Sequence, residues 1–161
     1  CLCAGAALVS GQGAGGPEPS PERVSRAEVL RLFDAYAVVQ AQEALGLDNA
    51  RYGAFVAAYK SLLETRRRNR EQRVRFINEL GKLAAAPAPD EDTLRERLRT
   101  LHDHDIRGAS ESSQALESVD QALTVTQRAR FRLFEERMEQ RKLELLSRAR
   151  AVRERRGLQR Q

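Results

Sequence analysis

Apolar residues recur along this chain at intervals of three and four, the spacing of one face of an α-helix, and nowhere at the alternating positions that mark a strand. Val29, Leu32, Phe33, Tyr36 and Val39 form the first run. Ser25 and Glu28 open it as a capping box, the Ser hydroxyl accepting from a backbone N–H three residues on while the Glu carboxylate reaches back to the Ser N–H. Gly46 closes it as a left-handed residue. A second helix is predicted from about Asn49 to Ala86, a rod of roughly 57 Å at ~1.5 Å per residue, stopped by Pro87 and Pro89. Asp90, Glu91 and Asp92 then favour the positive end of a third helix, marked by Leu94, Leu98, Leu101, Ile106, Leu116 and Val119 and expected to break near Gly108 and Ser110 to Ser113. The fourth runs from Val125 to about Arg156, before Gly157, with Phe131, Phe134, Met138, Leu145 and Val152 in phase. The pattern predicts an all-α fold of four helices in long antiparallel hairpins.

Two of the helix starts are related. In LTVTQRARFRLFEERM, Leu123 to Met138, Thr124 and Gln127 form a second capping box. In LDNARYGAFVAAYKSL, Leu47 to Leu62, Asp48 takes the N-cap place and Leu47 can staple onto Tyr52. A shift of 76 positions superposes Leu47 on Leu123, Asp48 on Thr124, Arg51 on Gln127, Phe55 on Phe131 and Leu62 on Met138, a weak internal repeat.

The LTVTQ signature ahead of a long charged helix resembles the LTxxQ-motif proteins of the Spy/CpxP class, including periplasmic zinc-resistance and heavy-metal-sensor relatives. The resemblance covers roughly Ser25 to Ala151. The earlier copy departs from the motif, with Asp48 and Arg51 where Thr and Gln stand in the later one. What the resemblance implies is envelope-stress work, the ATP-independent holding of unfolded proteins on a cradle-shaped surface. It equally permits a metal-responsive or regulatory partner of a membrane stress sensor.

At 161 residues, 41% hydrophobic and 32% charged, the chain has room for one soluble helical domain. Aromatic residues make up 5%, with no Trp, so a thick core is not available. Long thin helices gain burial by pairing with a second copy, and a thin, cradle-like homodimer is expected. Both cysteines, Cys1 and Cys3, lie in the apolar stretch before the Gly-rich segment. Residues 1–11 read as the tail of a secretory signal peptide and 12–24 as a flexible linker, followed by the helical domain at 25–156 and a tail at 157–161. Export to the periplasm follows, with a lipid-anchored form on Cys1 as the alternative.

Net charge is +5, and only three of the 28 basic residues are Lys, leaving 25 Arg. Asp90 to Asp120 carries a balance of −5 and Thr124 to Arg160 one of +7, so the third and fourth helices are expected to lie together. On the second helix the apolar stripe Tyr52, Phe55, Val56, Tyr59, Leu62 and Leu63 is in phase with Ile77, Leu80 and Leu83, but the positions between are Arg66, Arg70 and Arg73. These three either form a basic surface with apolar edges, suited to loose contact with unfolded clients, or solvate a helix held by pairs such as Glu64–Arg68 and Arg67–Glu71.

His102-Asp103-His104-Asp105 is the one cluster of metal-ligand type. Residues two apart diverge on a helix, so His102 and His104 do not readily share an ion, and no metal or cofactor is expected. There is no nucleophile with a recognisable base, no phosphate loop and no metalloprotease helix, so no enzyme is expected either. The Arg-rich helices have the electrostatic footprint of nucleic-acid binding, but an exported protein rarely meets nucleic acid and no groove-reading module is present.

Overall fold

The computed structural model describes residues 25–158, with the side chains of Arg26 and residues 152–158 left out. The expected leader and linker lie outside these residues. Four helices account for nearly everything described: α1 (Arg26–Leu45), α2 (Asn49–Ala84), α3 (Glu91–Gln121) and α4 (Val125–Leu158). The protein is all-α. α4 passes through Gly157, which does not end it. None of these helices is long and apolar enough to cross a membrane.

Local chemistry sets the ends. At α1, Ser25 N donates to Glu28 Oε2 at 2.6 Å and Glu28 N to Ser25 Oγ at 3.2 Å, completing the capping box. Gly46 sits at φ 62°, ψ 48°, its N–H reaching Glu43 O while Leu47 N reaches Gln42 O at 3.1 Å. That double closure needs a left-handed residue, which glycine adopts without a Cβ clash. Asp48 Oδ1 accepts from Arg51 N at 2.8 Å to start α2. Asp90 starts α3, accepting from Asp92 N and from Thr93 Oγ1 at 3.2 and 2.5 Å, bonds that hold its carboxyl below the ordinary range.

α2 and α3 run antiparallel. Arg68 pairs with Glu111 at 2.9 Å and Arg73 with Asp105 at 3.0 Å, and Arg97 stands 4.0 Å from Glu79, partners that descend α3 as the residues ascend α2. The acidic α3 therefore lies along the basic α2 rather than along α4, contrary to the charge-based expectation. α2 has nine basic against three acidic residues, so it offers the same attraction, and the close approach of Asn69 to Gly108 and His104 holds α3 against it. The pairs Glu64–Arg68 and Arg67–Glu71 do not form; Arg67 pairs with Glu64 instead, and Arg68 reaches across to α3.

Gly108 does not break α3. It is buried in the seam, where an added Cβ would stand 3.3 Å from Asn69 Nδ2 and 3.5 Å from Asn69 Cβ. Asn69 Nδ2 donates to Gly108 O at 3.2 Å, Ser112 Oγ donates to the same carbonyl at 2.7 Å, and His104 Nε2 lies 3.0 Å from Asn69 O. Since a carbonyl only accepts, the Nε2–H tautomer of His104 is the one that fits. Small and polar residues thus let α2 and α3 approach where apolar ones would hold them apart. Beyond Arg73 the seam holds half-buried Phe76, Leu80, Leu83, Leu94 and Leu101, whereas Ile77, Leu98 and Ile106 are exposed.

The core lies at the other end, where α1 and α4 pack on the first half of α2. Phe33, Ala37, Val38, Ala41 and Leu45 of α1 meet Phe55, Tyr59 and Leu62 of α2 and Phe131, Phe134 and Met138 of α4, with Val119 closing the end of α3. Phe131 stands edge-on to both Phe55 and Tyr59, with ring centroids 5.8 and 5.1 Å apart, contacts each worth about 0.5–1.5 kcal/mol beyond burial.

Candidate functional site

The two related helix starts come together at the core end. Thr124 N donates to Gln127 Oε1 at 3.0 Å and Gln127 N to Thr124 Oγ1 at 3.3 Å, so the capping box is complete. Gln127 Nε2 also reaches the carbonyl of Gly46 at 3.4 Å, linking the α3–α4 turn to the α1–α2 turn. Leu47 and Leu123, the leading residues of the two copies, are both buried in the common core. Arg128 Nε donates to Asp120 O at 2.8 Å, a carbonyl that also accepts from Leu123 N, and to Leu123 O at 3.2 Å, tying the start of α4 to the α3–α4 turn. The motif residues therefore fasten two turns, a structural task.

Arg66, Arg70 and Arg73 do not form one continuous band. Arg66 Nη1 donates to Glu135 Oε1 at 2.6 Å, joining α2 to α4. Arg73 turns the other way, its Nε 3.0 Å from Asp105 of α3. Arg70, between them, enters no ion pair among the described residues and is exposed.

Arg66 and Arg70 line a cleft of about 550 Å³ between α1, α2 and α4. Arg67, Arg132 and Lys142 complete its cationic wall, and Leu30, Phe33, Leu63 and Met138 contribute apolar surface. Several of the cations are already committed: Arg67 to Glu64, Arg132 to Asp120 and Lys142 to Glu139. Glu135, Glu136 and Glu139 place negative charge on the α4 side, so the cleft carries both signs.

Asp34 projects from α1 into this cleft, half-buried and without an ion-pair partner among the described residues. Desolvation pushes its carboxyl above the ordinary value of 3.8, against the pull of Lys142, Arg67 and Arg70. Tyr59 lines the same cleft, and burial raises its phenol further above the ordinary value of 10.0, so like other tyrosines it is neutral at physiological pH. The hydroxyl is thus a neutral polar group beside the charged wall.

The His-Asp run is divided by the fold. His104 is buried beside Phe76, with ring centroids 5.3 Å apart, while His102 faces solvent. Among the described residues no three His, Cys, Asp or Glu side chains converge in a way that could hold a metal ion.

Asp34, Arg132 and Lys142 were not singled out by the sequence pattern. Asp34 did leave a signal: it is a lone acid at core phase, four residues from both Leu30 and Val38. Arg132 and Lys142 left none, because each is one basic residue among many on α4. No family model, curated protein or solved structure matches the chain.

Proposed function

We propose that this protein holds unfolded protein segments reversibly, without nucleotide, in the cleft between α1, α2 and α4. The observation that carries the reading is the meeting of uncommitted charge and apolar surface in one open groove. Neither Arg70 nor Asp34 enters an ion pair among the described residues, although Lys142, Arg67 and Arg70 act on the Asp34 carboxyl from a distance, and Leu30, Leu63 and Met138 lie beside them. An unfolded segment carries both signs of charge and exposed apolar groups, so a groove with both binds many sequences without selecting one. The likeness of Leu123 to Gln127 to the LTxxQ proteins of the Spy/CpxP class supports the same reading, and the leader-like composition of residues 1–11 supports the periplasm as its place.

The test is suppression of aggregation of a diluted, chemically denatured protein, with no nucleotide present. Substoichiometric to stoichiometric protein should delay light scattering. Zinc titration of the same preparation, followed by calorimetry, separates this from the metal-responsive sensor partner: saturable zinc binding without any delay of scattering favours the latter.

A further inference from the structure

α1 is apolar on two sides. Phe33, Ala37, Val38, Ala41 and Leu45 face the core, yet Leu32 is 67% exposed and Val39 63%, with Val29 and Tyr36 beside them on the outer side. These four, at positions i, i+3, i+7 and i+10, form one stripe about 15 Å long. A row of exposed arginines on α4 runs alongside it. Arg137 and Arg141 share a groove of about 430 Å³ with Gln40, Glu43 and Ala44 of α1, and Arg141 also borders one of about 470 Å³ with Val29, Leu32 and Tyr36. Arg130 extends the row to the end of α1, its Nη1 3.5 Å from where a Cβ on Gly46 would stand. Arg148 extends it the other way. Steps of seven, four and seven residues keep all four on one face of α4, over about 27 Å.

The charge on this side is unbalanced once the committed groups are set aside. Glu144 stands 3.8 Å from Arg148, and Glu28 and Asp48 are engaged as helix caps. Arg130, Arg137 and Arg141 enter no ion pair among the described residues, Arg141 Nη1 reaching only the hydroxyl of Tyr36 at 3.4 Å. Glu43 is the one nearby carboxylate left without such a partner among the described residues.

We propose that the apolar stripe of α1 and the arginine row of α4 together rest on the surface of an anionic phospholipid bilayer. Apolar side chains that enter the acyl boundary, beside cations at headgroup level, are what hold a helix in the plane of a membrane. Tyr36 suits that border, with an apolar ring and a hydroxyl that stays wet. Arginine matches phosphate with paired N–H donors. The surplus of one sign selects this occupant: a second copy would bring the same arginines against themselves, and like charges juxtaposed across an interface are costly. An unfolded segment finds both signs in the cleft, whereas this side offers mainly one. A row this long reaches past a single headgroup, so the partner is a surface. The contact is peripheral, because none of the described helices is long and apolar enough to cross a membrane.

The inference is independent of what the cleft holds. Flotation of the full chain with vesicles of mixed phosphatidylglycerol and phosphatidylcholine, against vesicles of phosphatidylcholine alone, tests it. The wild type should float with the first and not with the second. Arg137→Glu and the control Arg150→Glu change the net charge equally, but Arg150 lies on the far side of α4 from the row. Arg137→Glu should bind at least about five-fold more weakly, the factor that one basic residue contributes near an anionic surface, and Arg150→Glu should bind like the wild type. Leu32→Glu, which sets a carboxylate at the acyl boundary, should also bind more weakly. Circular dichroism checks that the helices persist, and Val39→Glu replaces Leu32→Glu if they do not. A wild type that ignores anionic vesicles overturns the proposal. So does equal binding by wild type, Arg137→Glu and Leu32→Glu, which would assign the contact to residues 1–11, and so do equal losses at 137 and 150, which would reduce it to net charge. An Arg137→Glu variant that keeps its vesicles but loses unfolded protein overturns it too, and assigns the row to clients.

Discussion

Arg66 Nη1 and Glu135 Oε1 lie 2.6 Å apart, the ion pair that fastens the middle of α2 to α4 at the edge of the cleft. Glu135 is the more enclosed partner, its side chain 17% exposed against 36% for Arg66. The pair is part of the fold before it is part of any surface, so altering Arg66 alters both.

Truncating either partner leaves the other half-buried and alone. Arg66→Ala and Glu135→Ala should each lower stability, and a double-mutant cycle in urea should return a coupling of about 1 kcal/mol, toward the upper end for partly exposed pairs. A coupling near zero would mean that water solvates both groups as well as they solvate each other.

The capping box yields a second expectation. Thr124→Ala should cost about 1 kcal/mol, as N-cap losses do. Taken as the reciprocal half of the box alone, Gln127→Ala should cost less. Because Gln127 also donates to Gly46 O, the loss should instead match that of Thr124→Ala. Thermal melts of the two variants side by side decide the order.

Three glycines on α2 and α3 separate helix propensity from packing. Gly53 and Gly81 have open space where a Cβ would go, whereas at Gly108 Asn69 stands in the way. Alanine at 53 or 81 should stabilise the protein by up to about 1 kcal/mol, the helix-propensity difference. Gly108→Ala should show no such gain, because Asn69 must yield and its bond to Gly108 O weakens. Melting temperatures of the three variants against wild type give the comparison.

These contrasts also mark what could be read from the residues alone. The four helices and their caps were legible, since Ser25 with Glu28, Asp48, and Thr124 with Gln127 act on backbone groups within a few positions. Gly46 was legible for the same reason. Helix partners were not: net charge favoured α3 beside α4, but attraction between charged helices is not specific, and the close approach at Asn69, His104 and Gly108 joins α3 to α2. Gly108 was misread as a breaker because propensity is local, while its reason is the tertiary approach of Asn69. Phase placed Arg66, Arg70 and Arg73 in one basic band on α2 without showing that acids on two different helices claim Arg66 and Arg73.

Asp34 gives a pH dependence with a definite sign. Its folded carboxyl holds a proton more tightly than the unfolded one, chiefly through desolvation. Across the interval from 3.8 up to the raised folded value the native state binds more protons, so stability contributed by this group is present below 3.8 and is lost as pH rises through that interval. Asp34→Asn should therefore raise the melting temperature at pH 7 and leave it nearly unchanged at pH 3. Equal effects at both values would show that the gain comes from something other than ionisation.

The most direct test of holding in the cleft is the affinity of an unfolded protein for Arg70→Glu. Arg66→Glu and Arg73→Glu would break the pairs with Glu135 and Asp105, confusing fold with surface. Arg70 has no such partner among the described residues, and Arg and Glu have similar helix propensity, so helicity should be unchanged. Fluorescence anisotropy of a labelled, permanently unfolded, net-acidic protein is measured at low and high salt, with circular dichroism alongside. Binding should weaken several-fold on substitution at low salt, and the gap between wild type and variant should narrow at high salt, where exposed charges are screened beyond about 3 Å at 1 M. Equal affinities for wild type and Arg70→Glu at low salt, with helicity intact, would contradict a client surface in this cleft.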